Sequence, residues 1–94
     1  MTILEQIAAK IIKEQELVIG PLAWIEARKV SGLNVVETKM GEVTISVPEA
    51  SPVIDKLVAQ YERLFGRASH EVCRTAAAPY LPGLNMSDIP VSLR

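Results

Sequence analysis

The segment that decides the fold class is VVETKMGEVTISV, residues 35–47, because its periodicity differs from that of the sequence on either side. Its second half alternates apolar and polar residues from Val43 to Val47, which is typical of a half-buried strand. Together with the polar stretch before it, this pattern predicts a β-hairpin that turns around Met40-Gly41. An isolated two-stranded ribbon is marginal in water, so we expect the hairpin to pack on helices or on a second copy of the chain.

Before the hairpin, the sequence predicts one long amphipathic helix. Thr2 and Glu5 have the spacing of a capping box, and apolar residues then recur at helical intervals as far as Ile25. We expect this helix to end near Ser31-Gly32 and to kink at Pro21, because proline has no amide hydrogen to donate and its ring crowds the preceding turn.

After the hairpin, the sequence predicts a second amphipathic helix. It begins at Ser51-Pro52, where serine suits the N-cap and proline suits the first helical position. Its apolar stripe continues to a stop at Pro79. The two helices and the hairpin together predict a mainly helical α+β fold, with a helix–hairpin–helix domain over residues 1–78.

The two predicted helices resemble each other when the chain is shifted by 46 residues. The shift places Gly20 on Gly66, and it also matches charged residues: Lys10 with Lys56, Glu16 with Glu62, and Arg28 with Arg74. This pattern indicates a possible internal duplication. Because glycine costs a helix interior about 1 kcal/mol relative to alanine, we expect Gly20 and Gly66 to be helix-packing positions at which two backbones approach closely.

Residues 79–94 form a predicted tail in which prolines exclude a long helix. Its apolar side chains are not typical of a disordered end, so we expect an extended segment that is docked on its own chain, on a second copy or in another protein's groove. Trp24, in the first helix, either packs in the core or anchors an interface if it is exposed. The interface candidates are therefore Trp24, Tyr80, Leu81, Leu84, Met86 and Ile89.

The composition narrows the classes of protein that this chain can represent. With 94 residues, it has room for one hydrophobic core, and its apolar content of 49% predicts that some apolar surface meets another chain, as in a homodimer. The net charge of -1 argues against strong binding to a phosphate backbone. No apolar run is long enough to predict a membrane span. The single cysteine, Cys73, excludes an internal disulfide and favours a cytoplasmic location.

Two sets of residues suggest alternative functions. His70 and Cys73 are three positions apart and share a helix face, so they could contribute to a metal site or a nucleophile pair, in a small ligand- or metal-dependent enzyme at a subunit interface. A structural zinc site needs four ligands, so a second chain or nearby carboxylates would have to supply the rest. Arg63, Arg67 and Arg74 of the second helix could instead serve a nucleic-acid-binding regulator, although aromatic residues that could stack on bases are few.

No catalytic, cofactor-binding or metal-ligating residue is assigned from these patterns, because the structural explanation is the default for each. A buried cysteine and a partly exposed histidine are ordinary features of a helical domain. The sequence favours a non-catalytic protein–protein interaction or regulatory module that self-associates, with another protein as a further expected partner and without nucleic acid.

Overall fold

The computed structural model describes residues 2–37 and 41–94. The chain forms α1 (Ile3–Ile19), α2 (Leu22–Ala27), β1 (Leu33–Glu37), β2 (Glu42–Ile45), α3 (Ser51–Phe65) and α4 (Arg67–Ala77). Short 3₁₀ helices follow at Ala78–Gly83, Met86–Asp88 and Val91–Leu93. The predicted mainly helical α+β class, with a hairpin between helices, is confirmed.

The start of α1 also fixes the position of the hairpin. The amide of Glu5 donates to Thr2 Oγ1 at 3.1 Å, and the Thr2 amide donates to Glu5 Oε1 at 2.9 Å, so the predicted capping box is present. The second carboxylate oxygen of Glu5 accepts a 2.8 Å hydrogen bond from the amide of Ile45 in β2. These backbone hydrogen bonds, from Thr2 and then from Ile45, lower the pKa of the Glu5 carboxyl. One side chain therefore caps a helix and ties β2 to it.

The hairpin pairs its strands in antiparallel fashion, with Leu33 opposite Ile45 and Val35 opposite Val43. Leu33 and Val43 are buried, so one face of the ribbon rests on the helices of its own chain, as a two-stranded sheet requires for stability. Met40, which was predicted to form the turn with Gly41, lies outside the described residues.

The core lies where α1, α3 and α4 meet. Each amphipathic helix directs its apolar stripe towards this core. The short helix α2 packs against α1 and α3, and the hairpin packs against α1 and α2. The largest fully buried side chains include Ile7, Ile11 and Ile12 from α1 and Ile54, Leu57, Val58 and Tyr61 from α3.

Each of the two predicted long helices is interrupted at a glycine. Gly20 has φ 72° and ψ -154°, Gly66 has φ 91° and ψ -178°, and a new helix begins at Leu22 after the first junction and at Arg67 after the second. This backbone region is accessible essentially to glycine alone. A Cβ atom at either position would meet nothing within 4 Å, so the prediction that these glycines permit close helix packing is wrong. They are needed for the backbone conformation that ends one helix before the next begins.

The 46-residue offset recurs in two buried hydrogen bonds. Gln15 Nε2 donates to the carbonyl oxygen of Ser69 at 2.9 Å, and Tyr61 Oη donates to the carbonyl oxygen of Ala23 at 2.6 Å. The two donors, Gln15 and Tyr61, are 46 positions apart, and so are the two acceptors, Ala23 and Ser69. Each bond joins one half of the chain to the other, and the two bonds run in opposite directions between the halves. This exchange is the pattern expected of approximate two-fold symmetry between α1–α2 and α3–α4.

Candidate interaction surface

Trp24 lies in the core of the protein and not on its surface. The residue is 5% exposed, and its indole Nε1 has no hydrogen-bond partner among the residues that the structure describes. The core-packing alternative therefore applies, and Trp24 is not available as a surface anchor. Its burial follows from the break at Gly20, because the short helix α2 folds back against α1 and α3.

The tail packs on its own chain, and it is not extended as predicted. Proline holds φ near the value found in 3₁₀ helices, and the segment forms three short 3₁₀ helices instead of an extended chain. Tyr80, Leu81, Leu84 and Ile89 are partly buried against the core. Met86 differs from them, because 73% of it is exposed.

Polar side chains of α3 and α4 form hydrogen bonds with the end of the tail. Asp55 Oδ1 accepts hydrogen bonds from both the amide and the hydroxyl of Ser92, at 2.9 and 2.6 Å. The carbonyl oxygen of Ser92 lies 2.6 Å from His70 Nε2. The neighbouring Leu93 is buried. The tail is thus part of the core's boundary, and the sequence patterns missed both Asp55 and Leu93 as the residues that hold it.

His70 and Cys73 have separate structural partners. His70 Nδ1 lies 2.8 Å from Glu62 Oε2, while its Nε2 faces the Ser92 carbonyl. Both neighbours are acceptors, so the doubly protonated ring satisfies both, whereas a neutral ring has only one N–H to donate. This arrangement holds the tail in place and leaves neither ring nitrogen directed at a nucleophile.

The Cys73 thiol has the properties of a core residue. It is fully buried, and Gln15 Nε2 donates a 3.4 Å hydrogen bond to its Sγ. Burial raises the pKa of the Cys73 thiol to about 11, so the thiolate needed for nucleophilic or metal chemistry is scarce at neutral pH. Within residues 2–37 and 41–94, no three His, Cys, Asp or Glu side chains cluster as a metal site would require.

The arginines of α3 and α4 are partly engaged with neighbours on the same helix. Arg63 donates to Gln60 Oε1 at 2.8 Å, and Arg74 pairs with Glu71 at 3.4 Å. Arg67 is exposed. Because a carboxylate accompanies Arg74, these side chains do not create a surface of one sign, which binding to a phosphate backbone needs.

An open groove runs between α1 and α4. It has a volume of about 420 Å³, and its central lining is apolar or small, from Leu17 and Val18 on one wall to Ala68, Val72 and Ala76 on the other. Leu17 is 80% exposed and Val18 is 63% exposed. A groove of this size with exposed apolar walls is a typical binding feature.

Sequence patterns did not identify this groove. Val18 and Val72 fall within the apolar stripes that predict the two helices, which favours their burial, and Leu17 lies outside the stripe of the first helix. The available signal was Leu17 itself, a large apolar side chain next to Glu16 and outside the stripe that the other apolar residues of α1 define.

In comparisons with protein-family models, curated proteins and solved structures, nothing matches this chain. Among the residues that the structure describes, no helix combines the length and the apolar character that crossing a bilayer demands.

Proposed function

We propose that this chain is a non-catalytic protein–protein interaction module that self-associates. The observation that supports the proposal is the α1/α4 groove, because it keeps the large apolar side chains of Leu17 and Val18 in water. Scattered apolar side chains are normal on a protein surface, but a groove lined by them is a typical site of association.

The environments of His70 and Cys73, the pair that suggested an enzyme, favour the non-catalytic alternative. His70 has structural partners on both ring nitrogens, and the Cys73 thiol is buried with a raised pKa. An enzyme built on this pair would need to free both side chains first. As part of the same proposal we place the protein in the cytoplasm, because a free thiol at Cys73 suits a reducing compartment.

Sedimentation equilibrium tests the proposal. We expect the mass to rise from 10.3 kDa towards twice that value as protein concentration increases through the micromolar range. A mass of 10.3 kDa at every concentration up to the millimolar range would overturn self-association. The same samples should be measured at low and high salt, because association driven by apolar burial depends only weakly on ionic strength.

A further inference from the structure

We propose that the occupant of the α1/α4 groove is the same groove region of a second copy, packed about a two-fold axis so that each copy places Leu17 in the groove of the other. This inference rests on the self-association proposed above and names the surface that mediates it.

The spacing of the lining residues fits a helix as occupant. On α4 the groove is lined by Ala68, Val72 and Thr75, and on α1 by Lys10, Glu14 and Leu17, so both walls use intervals of four and then three residues. These intervals define a seam along a helix into which the side chains of another helix can insert. The small side chains at Ala68 and Thr75 leave room for the inserted residue. The occupant is therefore expected to present a helix that bears large apolar side chains.

The groove and such a helix occur on the same surface of this protein. Leu17 is the most exposed of the large apolar side chains that the structure describes, and it stands on the wall of the groove itself. A two-fold interface requires one patch to carry both the protruding side chain and the cavity that receives it. The α1/α4 surface meets this requirement, because α1 supplies Leu17 and α4 supplies the small residues opposite.

The charges at the rim are compatible with a second copy. Lys10 pairs with Glu14 at 2.7 Å on α1, and Glu71 pairs with Arg74 at 3.4 Å on α4. Each of the two rim carboxylates thus has a cation beside it on its own helix, Lys10 within the lining and Arg74 outside it, so two identical rims can face each other without a large excess of like charge. A strongly acidic or strongly basic partner would gain little from this rim.

The α2/α3 face of the protein provides an internal comparison. There, between α2 and α3, Gln60 donates to Glu26 Oε1 at 2.7 Å, and Lys29 pairs with Glu26 Oε2 at 3.0 Å. On the α1/α4 face, the 46-residue offset places Glu14 at the position of Gln60, Val72 at that of Glu26 and Thr75 at that of Lys29. Because Val72 has no polar side-chain atom, these three residues cannot form the same pair of interactions. A polar hydrogen bond thus joins α3 to α2, whereas the groove between α1 and α4 is open.

Two matched variants test the inference, and each one copies a residue that the other half of the chain carries at the offset position. Leu17→Arg copies Arg63 and places a charge in the groove, whereas Ile25→Glu copies Glu71 and places a charge on the α2/α3 face. Both native side chains are exposed, at 80% and 49%, so both variants are expected to keep the wild-type circular dichroism spectrum and melting behaviour.

We expect Leu17→Arg to raise the dimer Kd roughly thirtyfold or more, as loss of a central interface residue does, and Ile25→Glu to leave it within about twofold. Sedimentation equilibrium of the full chain measures both. A monomeric wild type overturns self-association itself and leaves the groove to a helix of another protein. If the wild type dimerises but Leu17→Arg dimerises equally well, self-association stands and the groove is the wrong surface. Loss of the dimer in Ile25→Glu alone would assign the interface to the α2/α3 face.

Discussion

Substitution of Gly20 or Gly66 distinguishes a backbone role from a packing role. Both residues combine φ between 72° and 91° with ψ near the extended value, a region in which a non-glycine residue costs about 1–3 kcal/mol. Replacing glycine also lowers the conformational entropy of the unfolded chain, which stabilises the folded state by about 0.4–1 kcal/mol. We therefore expect Gly20→Ala and Gly66→Ala each to lower the free energy of unfolding by about 1–2 kcal/mol.

The size of the new side chain should matter little at these two positions. Since a Cβ at either glycine meets nothing within 4 Å, we expect Leu at the same position to gain strain from the backbone and little from crowding. The expected result is that Gly→Leu and Gly→Ala variants lie within about 0.5 kcal/mol of each other. A packing role would instead make leucine much more destabilising than alanine, because overpacking adds about 1–3 kcal/mol.

Urea unfolding followed by circular dichroism measures these differences, at one protein concentration so that the proposed self-association contributes equally. Gly83→Ala is the control, because Gly83 has no positive φ and a Cβ there meets only the end of the Ile3 side chain at 3.2 Å. A loss of 1–2 kcal/mol corresponds to a fall of roughly 5–15 °C in Tm for a domain of this size. Unchanged stability in both alanine variants would refute the backbone argument, and a large gap between alanine and leucine would restore the packing role.

Further predictions concern the capping carboxylate, the buried thiol and the tail. Because the pKa of Glu5 is lowered in the folded protein, its stabilising contribution is present above the unfolded pKa of 4.5 and is lost as pH falls through the folded pKa. Urea melts between pH 3 and 7 should therefore show that stability falls less with acid in Glu5→Gln than in the wild type. An identical pH dependence in the two proteins would contradict this. The pKa of Cys73 is raised from 9.0 to about 11, so the unfolded chain ionises first and stability should fall as pH rises between these values, less steeply in Cys73→Ala. At neutral pH the Cys73 thiol should react with a maleimide only as fast as the protein unfolds, and rapid labelling of the folded protein would argue against its burial. Truncation after Ala78 should unfold or precipitate the protein, because it removes Leu93 from the core together with the Ser92 groups that Asp55 binds; a shortened chain with an unchanged Tm would show that the tail is independent of the fold.

The sequence by itself determined the features that depend on neighbouring residues. The Thr2–Glu5 spacing placed the start of α1, the alternation around Val43 placed the hairpin, and Pro79 marked the end of the last α-helix to within two residues. Capping, strand alternation and the missing amide of proline act within a few positions along the chain, so they can be recognised without tertiary contacts.

The tertiary structure decided which apolar residues the protein buries. Trp24 and Leu17 lie seven residues apart in one apolar stretch, yet Trp24 is buried and Leu17 is in water, because the break at Gly20 turns α2 inwards after α1 has ended. Helical periodicity assumes a continuous axis, so it cannot assign a face to residues beyond such a break. The role of the two glycines was misjudged for the same reason, since their positive φ is a property of the folded backbone.

The groove and the tail depended on contacts between residues far apart in sequence. The tail's prolines indicated that it would not form a long helix, but long-range contacts such as the Asp55–Ser92 and His70–Ser92 hydrogen bonds, which span 37 and 22 residues, place it on its own chain. Likewise, the groove exists because α1 packs on α4 from the other half of the molecule, which brings Leu17 beside Val72. Local patterns identify apolar residues, whereas the packing of distant helices decides which of them remain open to solvent.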